Sequence, residues 1–387
     1  MFDFDHVPNR RETDSLKWDV GANELPLWVA DMDFPAAPAI QKALQDKLDQ
    51  GIFGYTIVPD NWYEAIQGWW QRRHHVNFER DWISFCTGVV PALSSIVRRL
   101  THPGEKVLIQ TPVYNIFFNS IVNNGRVVEE SPLEYADGAY SINWKDFEKK
   151  IANPRVTLFV LCNPHNPIGK IWDKETLVRV GELCAKHHVV VVSDEIHCDI
   201  IAPGAEYVPF VSASAVCANN SVTLIAPSKA FNIAGLQSSA VVVPDPAMRW
   251  QINRGLNNDE VAEGNVFACT AAEAAFTAGD EWLDEARAYL FDNRAYATEF
   301  LENHVPEVHA VEAQATYLLW IDCRAVTNDT KNLNAFLREK TGLVLSTGES
   351  YGAAGAGFLR MNLACTRETL QDALMRFARG IALACEQ

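Results

Sequence analysis

The chain has 387 residues, 48% hydrophobic and 21% charged, the composition of a globular protein and not of a disordered or fibrous one. At roughly 150 residues per unit this means two to three folding units, enough to bury a core without disulfide or metal staples. Lys and Arg number 33 against 49 Asp and Glu, a formal charge of −16, which repels phosphate backbones and anionic membranes and argues against nucleic-acid or membrane partners.

The first residues, Met1 to His6, have neither the basic start nor the apolar run of a secretion signal. No apolar stretch approaches the ~18 residues of a membrane helix. The nine cysteines, at positions 86, 162, 184, 198, 217, 269, 323, 365 and 385, are scattered and form no Cys-x-x-Cys pair. They read as reduced thiols, mostly small buried side chains, in a cytoplasmic protein.

Residues 1–45 carry an acidic, proline-bounded segment, Ala30-Asp31-Met32-Asp33-Phe34-Pro35, and are expected as an N-terminal segment packing with a small domain. From about residue 83 to 243, short β-branched runs alternate with longer amphipathic stretches. The runs are Trp82–Cys86, Lys106–Gln110, Arg126–Glu130, Thr157–Cys162, Val189–Ser193, Val222–Ala226 and Ala240–Val243. They are largely unalternated, as expected for strands covered on both faces. Pro91–Leu100, Val113–Val122 and Lys174–His187 read as helices between them. The pattern predicts an α/β fold with an open, mostly parallel, seven-stranded sheet and right-handed crossovers, in a large domain over 46–285. Further on, Ala271–Ala278 and Trp282–Leu301 read as helices, Ala315–Asp322 as a strand, Leu333–Lys340 as a helix, Gly357–Leu363 as a strand and Glu368–Ala384 as a helix. The change of character predicts a smaller α+β C-terminal domain over 286–387.

In open α/β sheets, ligands bind outside the carboxyl ends of the strands. The residues just past the runs therefore sample one pocket: Thr87-Gly88-Val89-Val90, Thr111-Pro112-Val113-Tyr114, Asn163-Pro164-His165-Asn166-Pro167-Ile168-Gly169, Asp194-Glu195-Ile196-His197 and Ser228-Lys229-Ala230-Phe231-Asn232. A helix opening after Gly88 offers free N–H groups to a phosphate. Tyr114 offers a ring face for a flat heterocycle. Asp194 can hold a pyridinium N–H, and a deprotonated Lys229 can form an imine with an aldehyde. That is the binding logic of pyridoxal 5′-phosphate (PLP). Taken singly these residues have plainer readings. Asp194-Glu195 can cap the following turn, and the Asn-Pro pairs are ordinary turn formers. Order and spacing together carry the specificity.

Asn-Pro-x-Asn-Pro-x-Gly at 163–169, Asp194 placed 31 residues past Asn163, and Ser-Lys-Ala-Phe-Asn at 228–232 resemble the fold-type-I PLP enzymes of aminotransferase class I/II. Val29–Phe34, Phe53-Gly54-Tyr55, Asp194–His197, Ser228–Ile233 and Gly357–Asn362 resemble one branch, the MalY/PatB-type cystathionine β-lyases, and the similarity spans essentially the whole chain. The resemblance implies a PLP-dependent transferase fold and a catalytic set of Lys229, Asp194 and Tyr114. Lys229 would carry the cofactor as an imine, Asp194 would pair with the pyridine nitrogen, Asn166 would bond the ring 3′-oxygen and Tyr114 would stack on the ring. Gly88, Val89, Val90 and Ser228 would hold the phosphate. Arg360 would grip the substrate α-carboxylate, with Asn166, Asp31 and Tyr114 also on the substrate side. Tyr55 would reach the phosphate of the neighbouring subunit, so a homodimer is implied.

Two departures from the broader aminotransferase pattern stand out. Three residues past Asp194, where a tyrosine is usual, stands His197, a match to the lyase branch and an expected cofactor contact. Eight residues past Lys229, where an arginine often binds phosphate, stands Gln237, and Ala226 replaces a frequent serine. The resemblance thus implies cleavage of L-cystathionine and other S-substituted L-cysteines to a thiol, pyruvate and ammonia. The rival readings are an aminotransferase on the same scaffold and a PLP-holding regulatory protein with little turnover. Trp62, Trp69 and Trp70 read as packing residues, His74-His75 and His187-His188 as helix-end cations. No zinc spacing is visible. The glycine-rich run at 351–357 lacks the end of a phosphate loop.

Overall fold

The computed structural model describes residues 2–386. Its large sheet has seven strands: β1 (Ile83–Cys86), β2 (Lys106–Ile109), β3 (Val127–Glu130), β4 (Val156–Cys162), β5 (Val190–Asp194), β6 (Ser221–Ile225) and β7 (Ser239–Val242). They lie in the order β1-β7-β6-β5-β4-β2-β3. All neighbours are parallel except β7, which runs antiparallel to both β1 and β6. Each expected run forms its strand, shifted by a residue or so at the ends.

Burial on both faces explains the unalternated sequences. In β4, Leu158, Val160 and Cys162 enter one apolar cluster, shared with α3 (Val89–Leu100), while Phe159 and Leu161 enter another on the opposite face. That second cluster also takes Leu177, Val180 and Cys184 from the helix Lys174–Lys186. A third core holds Trp62, Trp69 and Trp70 of the helix Asp60–His74, all buried as packing residues.

A smaller, four-stranded sheet is antiparallel: β8 (His309–Ala310), β9 (Leu318–Asp322), β10 (Ser346–Thr347) and β11 (Phe358–Asn362), in the order β8-β9-β11-β10. The early segment Leu25–Pro26 pairs parallel with Leu343–Val344, beside this sheet.

Two expected element starts shift. The helix expected from Val113 starts at Ile116. Ahead of it, the amides of Val113 and Tyr114 donate to Tyr351 O and Asn166 O, at 3.0 and 3.1 Å. The strand expected from Ala315 starts at Leu318, because Thr316 turns the chain with φ 67°. The divisions expected at 45/46 and 285/286 fall inside continuous helices, Pro38–Asp49 and Asp280–His304. The second of these helices serves two cores at once: Trp282, Leu283, Ala286 and Leu290 pack with the large unit, Ala297 and Leu301 with the small sheet.

Candidate active site

The carboxyl ends of β4, β5 and β6 open onto a cavity of about 750 Å³, which extends to the N-terminus of α3 and the rim of the small sheet. Gly88, Val89, Val90, Tyr114, Asn166, Asp194, His197, Ser228, Lys229 and Arg360 all line it. Residues brought from six separate stretches of sequence thus share one space.

Lys229 follows β6 on a tight turn. Its Nζ donates to Ala30 O at 2.6 Å. Burial, reinforced by the Arg360 guanidinium, pushes the amine down to about 8, against the pull of Asp31 and Asp194. Asp194 ends β5, buried, and one carboxylate oxygen accepts the Ile196 amide at 3.1 Å. It therefore caps the turn and faces the cavity together. Burial lifts its carboxyl to about 6. His197 is buried beside them with no partner for Nδ1, and burial, with Lys229 and Arg360, drives it down to about 3. A neutral imidazole with an unspent nitrogen is the result.

Glu195, next along, faces the opposite way. It accepts from Ser193 Oγ at 2.7 Å, from the Phe210 amide at 2.9 Å and from the Tyr207 hydroxyl, which pins the β5 end from behind. Tyr114 sits at the cavity wall because its amide bonds Asn166 O, and burial raises its phenol to about 12. Arg360, on β11, donates to Asn166 Oδ1 at 3.2 Å and to Trp28 O at 2.7 Å, leaving buried Nε without a partner.

At the far end, Val89 and Val90 begin α3, a 12-residue helix whose first N–H groups have no helical acceptors. Ser228, Gln237 and Ser238 line the same cavity, and the buried Ser238 Oγ has no partner. Unspent donors at one end, a buried carboxylate at the middle and a low-pKa amine opposite fit the phosphate, pyridine nitrogen and aldehyde of PLP. Asp31 and Tyr55 stand apart from the rest. The Asp31 carboxylate pairs with Arg10 at 2.7 Å and does not line the cavity, though Val29 and Ala30 do. The Tyr55 side chain is fully exposed, away from its own chain's cavity.

Sequence reasoning passed over the strap that closes this space. Residues 28–30 line the cavity and 31–34 run on toward the core, the segment held by Asn362 Nδ2 on Val29 O and Asp31 O at 2.6 Å each. Asn232, in the left-handed region at φ 57°, bonds Met32 N, Met32 O and Phe34 O. Tyr317 donates to Ala30 O at 3.0 Å, and buried Lys17 bonds Asp33 at 2.8 Å. Asn232 and Asn362 stand inside motifs visible in the sequence, but nothing local says what they clamp. His74 ends its helix as expected and also bonds Asp199 at 2.8 Å, and with Cys198 these three bring donor atoms within 4.8 Å of one another.

Comparison with known proteins agrees with this geometry. A family model, aminotransferase class I and II, matches residues 19–377, and the chain belongs to that family. Its fold is that of the PLP-dependent fold-type-I enzymes. Among characterised relatives it is similar to cystathionine beta-lyase PatB of Bacillus subtilis (strain 168), 44% identical over 98% of this chain and 100% of that one. Protein MalY of Escherichia coli (strain K12) is 33% identical over 98% and 99%. Among solved structures, cystalysin from Treponema denticola, which contains pyridoxal 5′-phosphate, superposes with a TM-score of 0.95 at 33% identity, covering 99% of each chain.

Proposed function

We propose that this chain is a PLP-dependent carbon–sulfur β-lyase acting on L-cystathionine and other S-substituted L-cysteines. The observation that carries the reading is the meeting of a buried amine, Lys229, a buried carboxylate, Asp194, and a guanidinium, Arg360, around one cavity. The full-length relationship to cystathionine β-lyases supports it.

PLP, when bound, would supply a sink for the electron pair left at Cα. Lys229 would hold the cofactor at rest and, when its amine is free, would be the base that removes the Cα proton. Its low pKa leaves a useful neutral fraction near pH 8. Asp194 keeps the pyridine nitrogen protonated. Arg360 turns its fork from Trp28 O and Asn166 Oδ1 to the α-carboxylate, fixing which bond to Cα is broken. Asn166 and the unspent nitrogen of His197 serve the 3′-oxygen, Tyr114 the ring face. Gly88, Val89, Val90, Ser228 and Ser238 serve the phosphate. The Cβ–S bond breaks, the thiolate leaves as a thiol, and the remaining three carbons take up one water to give pyruvate and ammonium.

The working unit of this reading is a homodimer in which Tyr55 of one protomer serves the neighbouring site; its exposure supports that role. We assign the protein to the cytoplasm, in keeping with eight buried free cysteines and with no helix, among the described residues, long and apolar enough to cross a membrane. An N-terminal segment, a large PLP-binding unit and a small C-terminal unit remain the proposed division. The decisive assay supplies L-cystathionine without any 2-oxo acid. Continuous pyruvate and thiol release, abolished by Lys229→Ala, is expected; a single stoichiometric turnover would instead mark an aminotransferase.

A further inference from the structure

His74, Cys198 and Asp199, whose donor atoms lie within 4.8 Å of one another, stand outside the cofactor cavity. They line a second cavity of about 340 Å³, which shares no wall residue with the first. The fold alone brings them together. His74 is the last residue of the helix Asp60–His74, and Cys198 and Asp199 belong to the turn after β5. That turn is closed by the Cys198 amide on Glu195 O and the Ile200 amide on His197 O, at 3.0 Å each.

The three side chains are nearly buried, with 5% exposure for those of His74 and Asp199 and 3% for Cys198. Asp199 Oδ1 pairs with His74 Nε2 at 2.8 Å and accepts Trp69 Nε1 at 2.9 Å, while Oδ2 takes neither bond. The carboxylate is thus already oriented by an outer neighbour, as metal-binding carboxylates usually are. The cations on the same wall are engaged elsewhere: Arg73 pairs with Asp280 and Asp284, and Arg287 with Asp284 and Ile201 O. A His–Asp pair alone would tie the helix to the turn. It does not account for a free, reduced thiol at the third corner, on the wall of a cavity.

Imidazole, thiolate and carboxylate together suit zinc, whereas magnesium and calcium take shells of oxygen. We propose that His74, Cys198 and Asp199 bind a divalent cation of the zinc class, with a water from the cavity in the fourth position. Zinc bonds to the His74 ring nitrogen, the Cys198 sulfur and an Asp199 oxygen replace the His74–Asp199 hydrogen bond. The thiol proton passes to water, and no electron is transferred. The ion joins the end of the helix to the turn that carries His197, and so stiffens that turn.

The test is titration of the chelator-treated holoenzyme with Zn²⁺ by calorimetry, and with Co²⁺ by its visible ligand-field bands. One equivalent per chain and a tetrahedral, sulfur-ligated Co²⁺ spectrum are expected. Loss of an outer-shell partner costs about 10- to 100-fold in metal affinity, so Cys198→Ser and His74→Gln, each losing a ligand, should weaken binding at least about 100-fold. Zn²⁺ should raise the Tm of the wild type and not that of Cys198→Ser. His75→Gln, a change on the same cavity wall but outside the cluster, should leave binding unaltered. Retained cofactor absorbance identifies the variants that fold, and either ligand variant suffices. Absence of stoichiometric binding, full affinity in a folded ligand variant, or an equal loss in His75→Gln overturns the proposal. None of these readouts depends on the reaction at Lys229.

Discussion

Arg360 Nη2 donates to the carbonyl oxygen of Trp28 at 2.7 Å across 332 residues of sequence, and that oxygen also accepts Ser346 Oγ. The guanidinium is thus oriented before any substrate arrives. Nη1 is spent on Asn166 Oδ1, and buried Nε is unpaired. A carboxylate entering the cavity exchanges for acceptors already aligned with the fork, so little ordering is left to be done on binding.

Arg360→Lys should therefore remove more than a charge-conserving change suggests. An ammonium is a point charge and cannot hold a carboxylate on two parallel bonds. The expected loss in kcat/KM is roughly 10- to 100-fold, the worth of a hydrogen bond to a charged group. Steady-state kinetics check it, alongside a cofactor absorbance that stays unchanged because Arg360 lies on the substrate side.

Asn232→Ala should loosen the strap. The side chain satisfies Met32 N, Met32 O and Phe34 O, and its backbone sits at φ 57°, which asparagine tolerates better than alanine. Losing these bonds at partly buried groups is expected to cost about 2–4 kcal/mol. The reading is a lower urea midpoint at unchanged slope. A midpoint equal to wild type would mean that the strap holds without this clamp.

The Lys229 amine gives a pH dependence with a definite sign. Burial lowers it from 10.5 to about 8, so its neutral, imine-forming fraction rises as pH increases through 8. PLP uptake by the cofactor-free protein should accelerate from pH 6 to 9 with a midpoint near 8, followed by the growth of cofactor absorbance. The linkage has the same sense. Between about 8 and 10.5 the folded chain holds fewer protons at this site than the unfolded chain does, so the site favours folding as pH rises across that window. A midpoint near 10 would mean an amine no different from a surface lysine.

Much of the fold could be read directly. β4 and β5 are buried on both faces, and such strands appear in sequence as unbroken apolar runs, so their ends marked the rim of the site. Lys229, Asp194, Asn166 and Arg360 line one cavity because they stand at, or just past, the ends of strands or within a strand facing them. What local pattern could not show were relations between distant residues. The early start expected for the helix after Val113 ignored Tyr351 and Asn166, whose carbonyls, distant in sequence, accept the Val113 and Tyr114 amides. That the helix Asp280–His304 packs into two cores at once is likewise a relation no local pattern marks. Nor could local pattern show that Asp31, implied on the substrate side, gives one carboxylate oxygen to Arg10, 21 residues earlier.

The strap from residues 28 to 34 also orders events during synthesis. Its anchors Arg360 and Asn362 lie on β11, among the last residues to leave the ribosome, while the strap itself is among the first. Until the closing strand emerges, the early segment lacks its bonds to Arg360 and Asn362, although earlier partners such as Asn232 and Tyr317 are already in the chain. A chain cut short before residue 358 can lay down the whole large sheet and still have no carboxylate grip. Complete translation is in this way built into the competence of the pocket.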